Sequence, residues 1–174
     1  MLFLFALVAS IFAGVVYGSF FEWTLHRFVM HRPFLSFTYP FRSHAITHHG
    51  TFGPSETYHL ADQGESHLVT MAWCNGPALL GMNVPAGLMV AWLSGSWWAA
   101  LAFMATLAAY YAAYEYLHWC MHVPGPRWFQ GTWLFRWVDH HHRLHHLKHK
   151  RNLNVVLPIA DFILRTRLAS RPAA

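Results

Sequence analysis

Charge is scarce in this chain. Asp, Glu, Lys and Arg make up 11% of its 174 residues, where an ordinary soluble domain carries about 25%. So few charges leave too little polar surface to coat a soluble globule, and the hydrophobic residues, 55% of the total, fall into long runs. The implied class is an all-α integral membrane protein of one domain, residues 1–174. Basic residues are also absent from a long internal stretch: none lies between positions 43 and 126. Arg27, Arg32 and Arg42 precede that gap, and nine more Lys and Arg follow it. The net charge of +5 therefore forms no stripe on a soluble module, which argues against nucleic acid as a partner. It flanks the apolar runs instead, as on a cytosolic membrane face. Cysteine is scarce too. Cys74 and Cys120, both in apolar surroundings, make no disulfide framework and read as packing residues.

The apolar runs set the topology. The first extends from Leu2 to about Phe21 and continues into Glu22 and His26 without a polar break. No basic residue precedes it, so it reads as a retained anchor helix rather than a signal peptide. A second block, from Leu68 to Leu93, is interrupted by Gly76-Pro77 and Val84-Pro85. After the turn Ser94-Gly95-Ser96, a third begins at Trp97. The expected spans are about 2–25, 67–93 and 97–120. Three crossings bring His26, His118 and every basic residue to one side, which the positive-inside rule makes cytosolic. A fourth crossing, with Pro85 dividing the second block, would put His26 and His118 on opposite sides. Leu153–Leu168 is either an interfacial helix or core packed on a His-rich layer.

Histidine is abundant: there are fifteen. Ten fall into two matched sets, His26-x4-His31 with His44-x3-His48-His49, and His118-x3-His122 with His142-x2-His145-His146. Neutral histidine is the commonest metal ligand. Residues i and i+4 of an α-helix lie about 40° apart around the axis, so His118 and His122 can hold one ion from one helix face. His142 and His146 can do the same, as can His44 and His48. Adjacent histidines point about 100° apart, so each His-His pair suits one ligand to each of two ions. That favours a dinuclear centre in a cytosolic His-rich helical layer. His26 and His31, at i and i+5, need a helix end, a π-bulge or two metals. The run His140-His141-His142 leaves the register of the last set open between His142 and His141.

Carboxylates are almost missing from these clusters, so bridging Glu of the ferritin-like kind is not available. Glu22 and Glu115, one turn before His26 and His118, are candidates to accept a hydrogen bond from a ligand ring and fix its tautomer. His141 and Asp161 are further candidates for that supporting role. All-nitrogen ligation suits zinc, copper, iron or nickel.

These motifs resemble the fatty acid hydroxylase superfamily, which includes sterol desaturases and related membrane oxygenases. The resemblance spans about residues 22–168 and rests on His26-x4-His31, His118-x3-His122 and His142-x2-His145-His146, with the tail Asn154–Thr166 carrying Asp161. The second set here is His-x3-His-His where that family has His-x2-His-His, and Arg165 stands where its tail usually has Gly. What the resemblance implies is an O2-dependent non-haem enzyme with two iron ions that hydroxylates or desaturates a lipid drawn from the bilayer, a fatty acyl chain first. Zinc would also bind such a site in purified protein. A carotenoid ring is the next substrate in line. An external electron donor is expected, of cytochrome b5, ferredoxin or reductase type. A metal-binding membrane protein without oxygen chemistry is the reading from a different class.

Overall fold

The computed structural model describes residues 1–60 and 67–169; Arg171, the last basic residue counted above, lies outside them. It is all-helical, with 69% helix. The helices are α1 (Leu2–Leu25), α2 (Tyr39–Phe41), α3 (His49–Thr51), α4 (Asn75–Met82), α5 (Val84–Ser94), α6 (Trp97–His122), α7 (Trp133–Leu147) and α8 (Ile159–Ile163). Two π-helical stretches, His26–Met30 and Arg42–His48, interrupt the α-helical hydrogen bonding. Two compact units emerge: Met1–Gly18 with Ala72–Ala113, and Ser19–Met71 with Tyr114–Ala174.

In the first unit, small residues let backbones meet. Ser10, Gly14 and Gly18 recur every four residues of α1 and are buried. A Cβ at Gly14 would stand 2.9 Å from Thr106 Cβ and 3.3 Å from the Phe103 carbonyl, and one at Gly18 would stand 3.1 Å from the Tyr110 ring. This is the small-xxx-small packing used where no water drives helices together. Apolar side chains on the other faces point outward: Phe5, Phe12 and Trp92 are at least 71% exposed. Phe3–Met30 and Asn75–Ser94 are long and apolar enough to cross a membrane. The 26 residues of α6 reach about 39 Å, but Trp97, Trp98 and several tyrosines dilute its apolar character.

The second apolar block begins its helix at Asn75 rather than near residue 67. Asn75-Gly76-Pro77 forms the first turn of α4, where Pro77 loses no intrahelical bond, and Cys74 just before it is exposed, not packed. Asn83 separates α4 from α5, whose first turn holds Pro85. Gly95, at φ 64°, closes α5 in the left-handed conformation that glycine adopts freely.

The second unit carries the polar residues. Thr132 caps α7 by accepting a hydrogen bond from the Phe135 N–H at 3.3 Å. That helix buries Phe135, Val138, His141, His142, Leu144, His145 and His146 along one side. The core includes Met30, Tyr58, Cys120, Met121, Phe135, Val138 and Val155. The tail is not one long helix. Only Ile159–Ile163 is helical, because side chains capture the backbone ahead of it. Val155 N donates to Glu22 at 2.5 Å and Asn154 N to Asp161 at 2.8 Å. Leu153, Val155 and Ala160 are buried, while Phe162, Ile163 and Leu164 are exposed. The tail is thus core at one end and a surface ridge at the other.

Gly14→Leu should destabilise the protein by about 2 kcal/mol, because neither the Thr106 Cβ nor the Phe103 carbonyl can yield. Gly81, with nothing near its Cβ position, should accept Ala without loss. Thermal unfolding of the two purified variants in detergent checks this.

Candidate metal centre

Ten imidazoles meet in two groups, each with its ring nitrogens within 4.8 Å of one another. The first contains His26, His31, His44, His49 and His145, and the second His48, His118, His122, His142 and His146. Eight of the ten rings are buried, and His31 and His49 are half-buried.

Helix type sorts the ligands. The second group holds two i+4 pairs from α-helices, His118 with His122 and His142 with His146. The first holds two i+5 pairs, His26 with His31 and His44 with His49. Each i+5 pair is joined by an i+5 backbone hydrogen bond: His31 N donates to the His26 carbonyl at 3.1 Å, and His49 N donates to that of His44. A π-turn brings residues five apart to one face, as an α-turn does for residues four apart. This answers the spacing at His26 and His31. It also separates His44 from His48, which the i+4 rule would have placed on one ion. Both His-His pairs divide between the groups, so His145 completes the first and His48 the second. Each group draws four rings from one half of the chain and one from the other.

The Nε2 atoms converge. In the first group, His26 and His44 approach to 2.8 Å, His31 and His145 to 3.0 Å, and His49 lies 3.1 Å from both His44 and His145. In the second, the separations are 3.2 Å for His118–His48, 3.3 Å for His48–His146, 3.0 Å for His146–His142 and 3.1 Å for His142–His122. Behind them, Nδ1 atoms face backbone carbonyls. His26 bonds Leu153, His122 bonds Tyr58 at 2.7 Å, His145 bonds Arg151 at 2.9 Å and His146 bonds Phe52 at 2.6 Å. A carbonyl only accepts, so each of these Nδ1 atoms carries the proton and each Nε2 presents a lone pair. Lone pairs about 3 Å apart repel unless a cation lies between them.

The electrostatics agree. Burial, reinforced by neighbouring imidazoles, holds His44, His48, His49, His142 and His145 far below the usual histidine pKa. For His31 the same causes bring it to about 2. These rings are neutral at pH 7, as a metal ligand must be.

The geometry fits transition-metal ions. Nitrogens at right angles around an ion with bonds of about 2.1 Å lie about 3.0 Å apart, which is the spacing found in both groups. Five imidazoles at that spacing leave one position of a six-coordinate ion open. Ring centroids of His49 and His146 lie 4.4 Å apart, and those of His44 and His48 5.1 Å, so the two groups share a wall. No carboxylate belongs to either group.

The supporting residues differ from expectation. Glu22 takes the N–H of Val155 and the side-chain amide of Asn154, the latter at 3.0 Å. It holds the backbone whose Leu153 carbonyl aims His26, and so acts one step behind the ring. Glu115 accepts from Met71 N at 3.4 Å, while the backbone of Val69 bonds His118. His141 turns away from both groups and meets Asp161 at 3.0 Å, leaving His142 as the inward member of the run. Burial pushes the Asp161 carboxyl up, but hydrogen bonds from His141, Asn154 and Thr166 outweigh it and hold the pKa below the ordinary value. Sequence reasoning missed the backing carbonyls, which no side-chain pattern reveals. It also missed Asn154 and His149, whose ring centroid lies 4.2 Å from that of His49.

Comparison with protein-family models, characterised proteins and solved structures gives no match.

Replacing His122 and His142 together with Ala should abolish metal binding in the second group and spare the first, while His31 with His49 should do the reverse. Metal analysis of the purified variants by mass spectrometry checks this, and unchanged content in both pairs would refute the assignment. A pH dependence also follows. The folded-state histidine values are lowered, so below about pH 6.5 the unfolded chain binds protons that the folded chain cannot. The metal-free protein should lose stability progressively as pH falls from about 7 to about 5. Thermal unfolding across that range shows it, and a flat profile would contradict it.

Proposed function

We propose that this protein is an O2-dependent membrane oxygenase that hydroxylates or desaturates a C–H bond of a lipid, with two iron ions held by the ten histidines. One observation carries the reading: two neutral five-imidazole groups lie side by side, each one ligand short of six-coordination. The resemblance of the histidine spacing to the fatty acid hydroxylase superfamily supports it, as do the two helices able to cross a bilayer. With α6 as a third crossing, the positive-inside rule would assign the metal centre to the cytosolic face with the basic residues.

His26, His31, His44, His49 and His145 would hold one ion, and His48, His118, His122, His142 and His146 the other. Reduced iron bound there supplies O2 activation and the abstraction of hydrogen from an unactivated C–H bond. The chain's own groups set the conditions. Carbonyls of Leu153, Tyr58, Arg151 and Phe52 fix the rings with Nε2 inward, so no reorganisation is needed when charge changes at the centre. Burial excludes the water that would quench a reactive oxidant. The balance is C–H plus O2 plus two electrons and two protons giving C–OH plus water, so an external donor is required.

Among the described residues, a recess beside His59, Arg136, Asp139 and Arg143 includes none of the ten histidines in its lining. A fatty acyl chain is the first substrate, with a carotenoid ring next. A hydrolytic zinc centre is disfavoured because neither group offers a carboxylate as general base.

Iron-loaded, reduced protein in bilayers should consume O2 and add one oxygen to, or remove two hydrogens from, a lipid or pigment. With 18O2 as oxidant, a hydroxylated product should carry the label. Mass spectrometry of lipid extracts with and without the protein reads both. A loaded, reduced preparation that consumes no O2 above background and changes no lipid would refute the reading.

A further inference from the structure

The proposed reaction needs electrons from outside, and in the second unit a surface group touches the ligand set. Lys148, His149, Lys150 and Arg151 follow α7 in sequence and are all exposed. His149 packs against the rings of the first group, stacked on His31 and tilted against His49 and His145. Its ring centroid is 4.2 Å from that of His49, 5.6 Å from His31 and 6.0 Å from His145. Its Nε2 donates to the His146 carbonyl at 3.1 Å, which holds the ring in place. An exposed imidazole thus packs directly on the half-buried rings His31 and His49.

The charged residues flanking that imidazole in sequence, Lys148, Lys150 and Arg151, are all basic. Arg151 donates to the carbonyl of Arg165 at 2.8 Å, and Arg32 adjoins His31, so exposed Arg32 and Arg165 extend the basic segment. Asp161, the first acid after the segment, is fully buried and engaged with His141. The other surface near the rings, at Tyr58, is of mixed sign. There Arg143 pairs with Asp139 at 3.1 Å and packs over the Tyr58 ring at 3.8 Å. Among the described residues, the Lys148–Arg151 surface combines positive charge with a ring contact to the ligands.

We propose that Lys148–Arg151 is the docking surface of an acidic one-electron carrier protein, and that His149 conducts the electron to the first histidine group. The proposal rests on the oxygenase reading and names its partner. In each delivery the carrier is oxidised by one electron and the metal centre reduced by one. Two deliveries, with two protons from water, supply one turnover. Opposite charges bring the carrier on and orient it, and the imidazole bridges the remaining gap. A headgroup-binding patch would have no need for a ring packed on the ligands, so an acidic protein is the favoured occupant over an anionic lipid.

The test uses the full chain in phosphatidylcholine nanodiscs. The probes are a soluble acidic [2Fe–2S] ferredoxin and the soluble haem domain of cytochrome b5. At low salt at least one should bind, and binding should weaken steeply with ionic strength. Lys148→Glu with Lys150→Glu should reduce its affinity about tenfold or more, with metal content unchanged. His149→Leu should keep affinity and metal content but slow oxidation of the bound reduced carrier, while reduction by dithionite stays at the wild-type rate. Three results overturn the proposal: neither carrier binds, the charge-reversed variant binds as tightly as wild type, or the segment binds phosphatidylserine vesicles and no carrier. The binding measurements are also made on the metal-free chain. A carrier that binds there, beside a loaded protein that consumes no O2, would leave docking standing and remove the oxygenase reading.

Discussion

The hydrogen bond from a ring Nδ1–H to a backbone carbonyl is the interaction on which the two histidine groups depend. It is made by His26, His122, His145 and His146 to four separate points of the chain. Each bond turns one ring, sets its tautomer and leaves the Nε2 lone pair facing inward. An imidazole on a free side chain samples several rotamers and both tautomers. Four rings held this way fix the directions in which the two groups converge.

The carbonyls need holding in turn, which explains much of the remaining polar structure. Leu153 lies just before a segment tied down by Glu22, Asn154 and Asp161, and Asp161 is itself locked by His141 and by Thr166 at 2.6 Å. Tyr58 is pinned through its hydroxyl to Asp139 at 3.0 Å and by the guanidinium of Arg143. The buried carboxylates act on the histidine groups through the backbone rather than as members of them. That arrangement suits a centre built from neutral donors alone, because a metal ion then keeps its full positive charge.

Helix α1 shows how one element serves two environments. Positions 10, 14, 18, 22, 26 and 30 are all buried and lie four apart. The first three are Ser, Gly and Gly, which allow a close backbone approach. The next two are Glu and His, which carry the polar chemistry. The switch to π-helical bonding at His26 then swings His31 back to the side of His26. An uninterrupted α-helix would have sent it about 140° away.

The sequence by itself determined the helical class and the apolar stretches, and it marked the ten histidines that lie together, because hydropathy and side-chain spacing are local properties. It also marked the i+5 gap at His26 as a departure from α-helical geometry. What only the tertiary structure decided was how those ten divide. His44 parts from His48 because the segment between them bonds i+5 rather than i+4. His142 rather than His141 faces inward because Asp161, twenty residues on, captures His141. Glu22 supports His26 through Val155 and Asn154, more than 130 positions away. These choices depend on backbone hydrogen bonds and long-range contacts, which no spacing along the chain can specify.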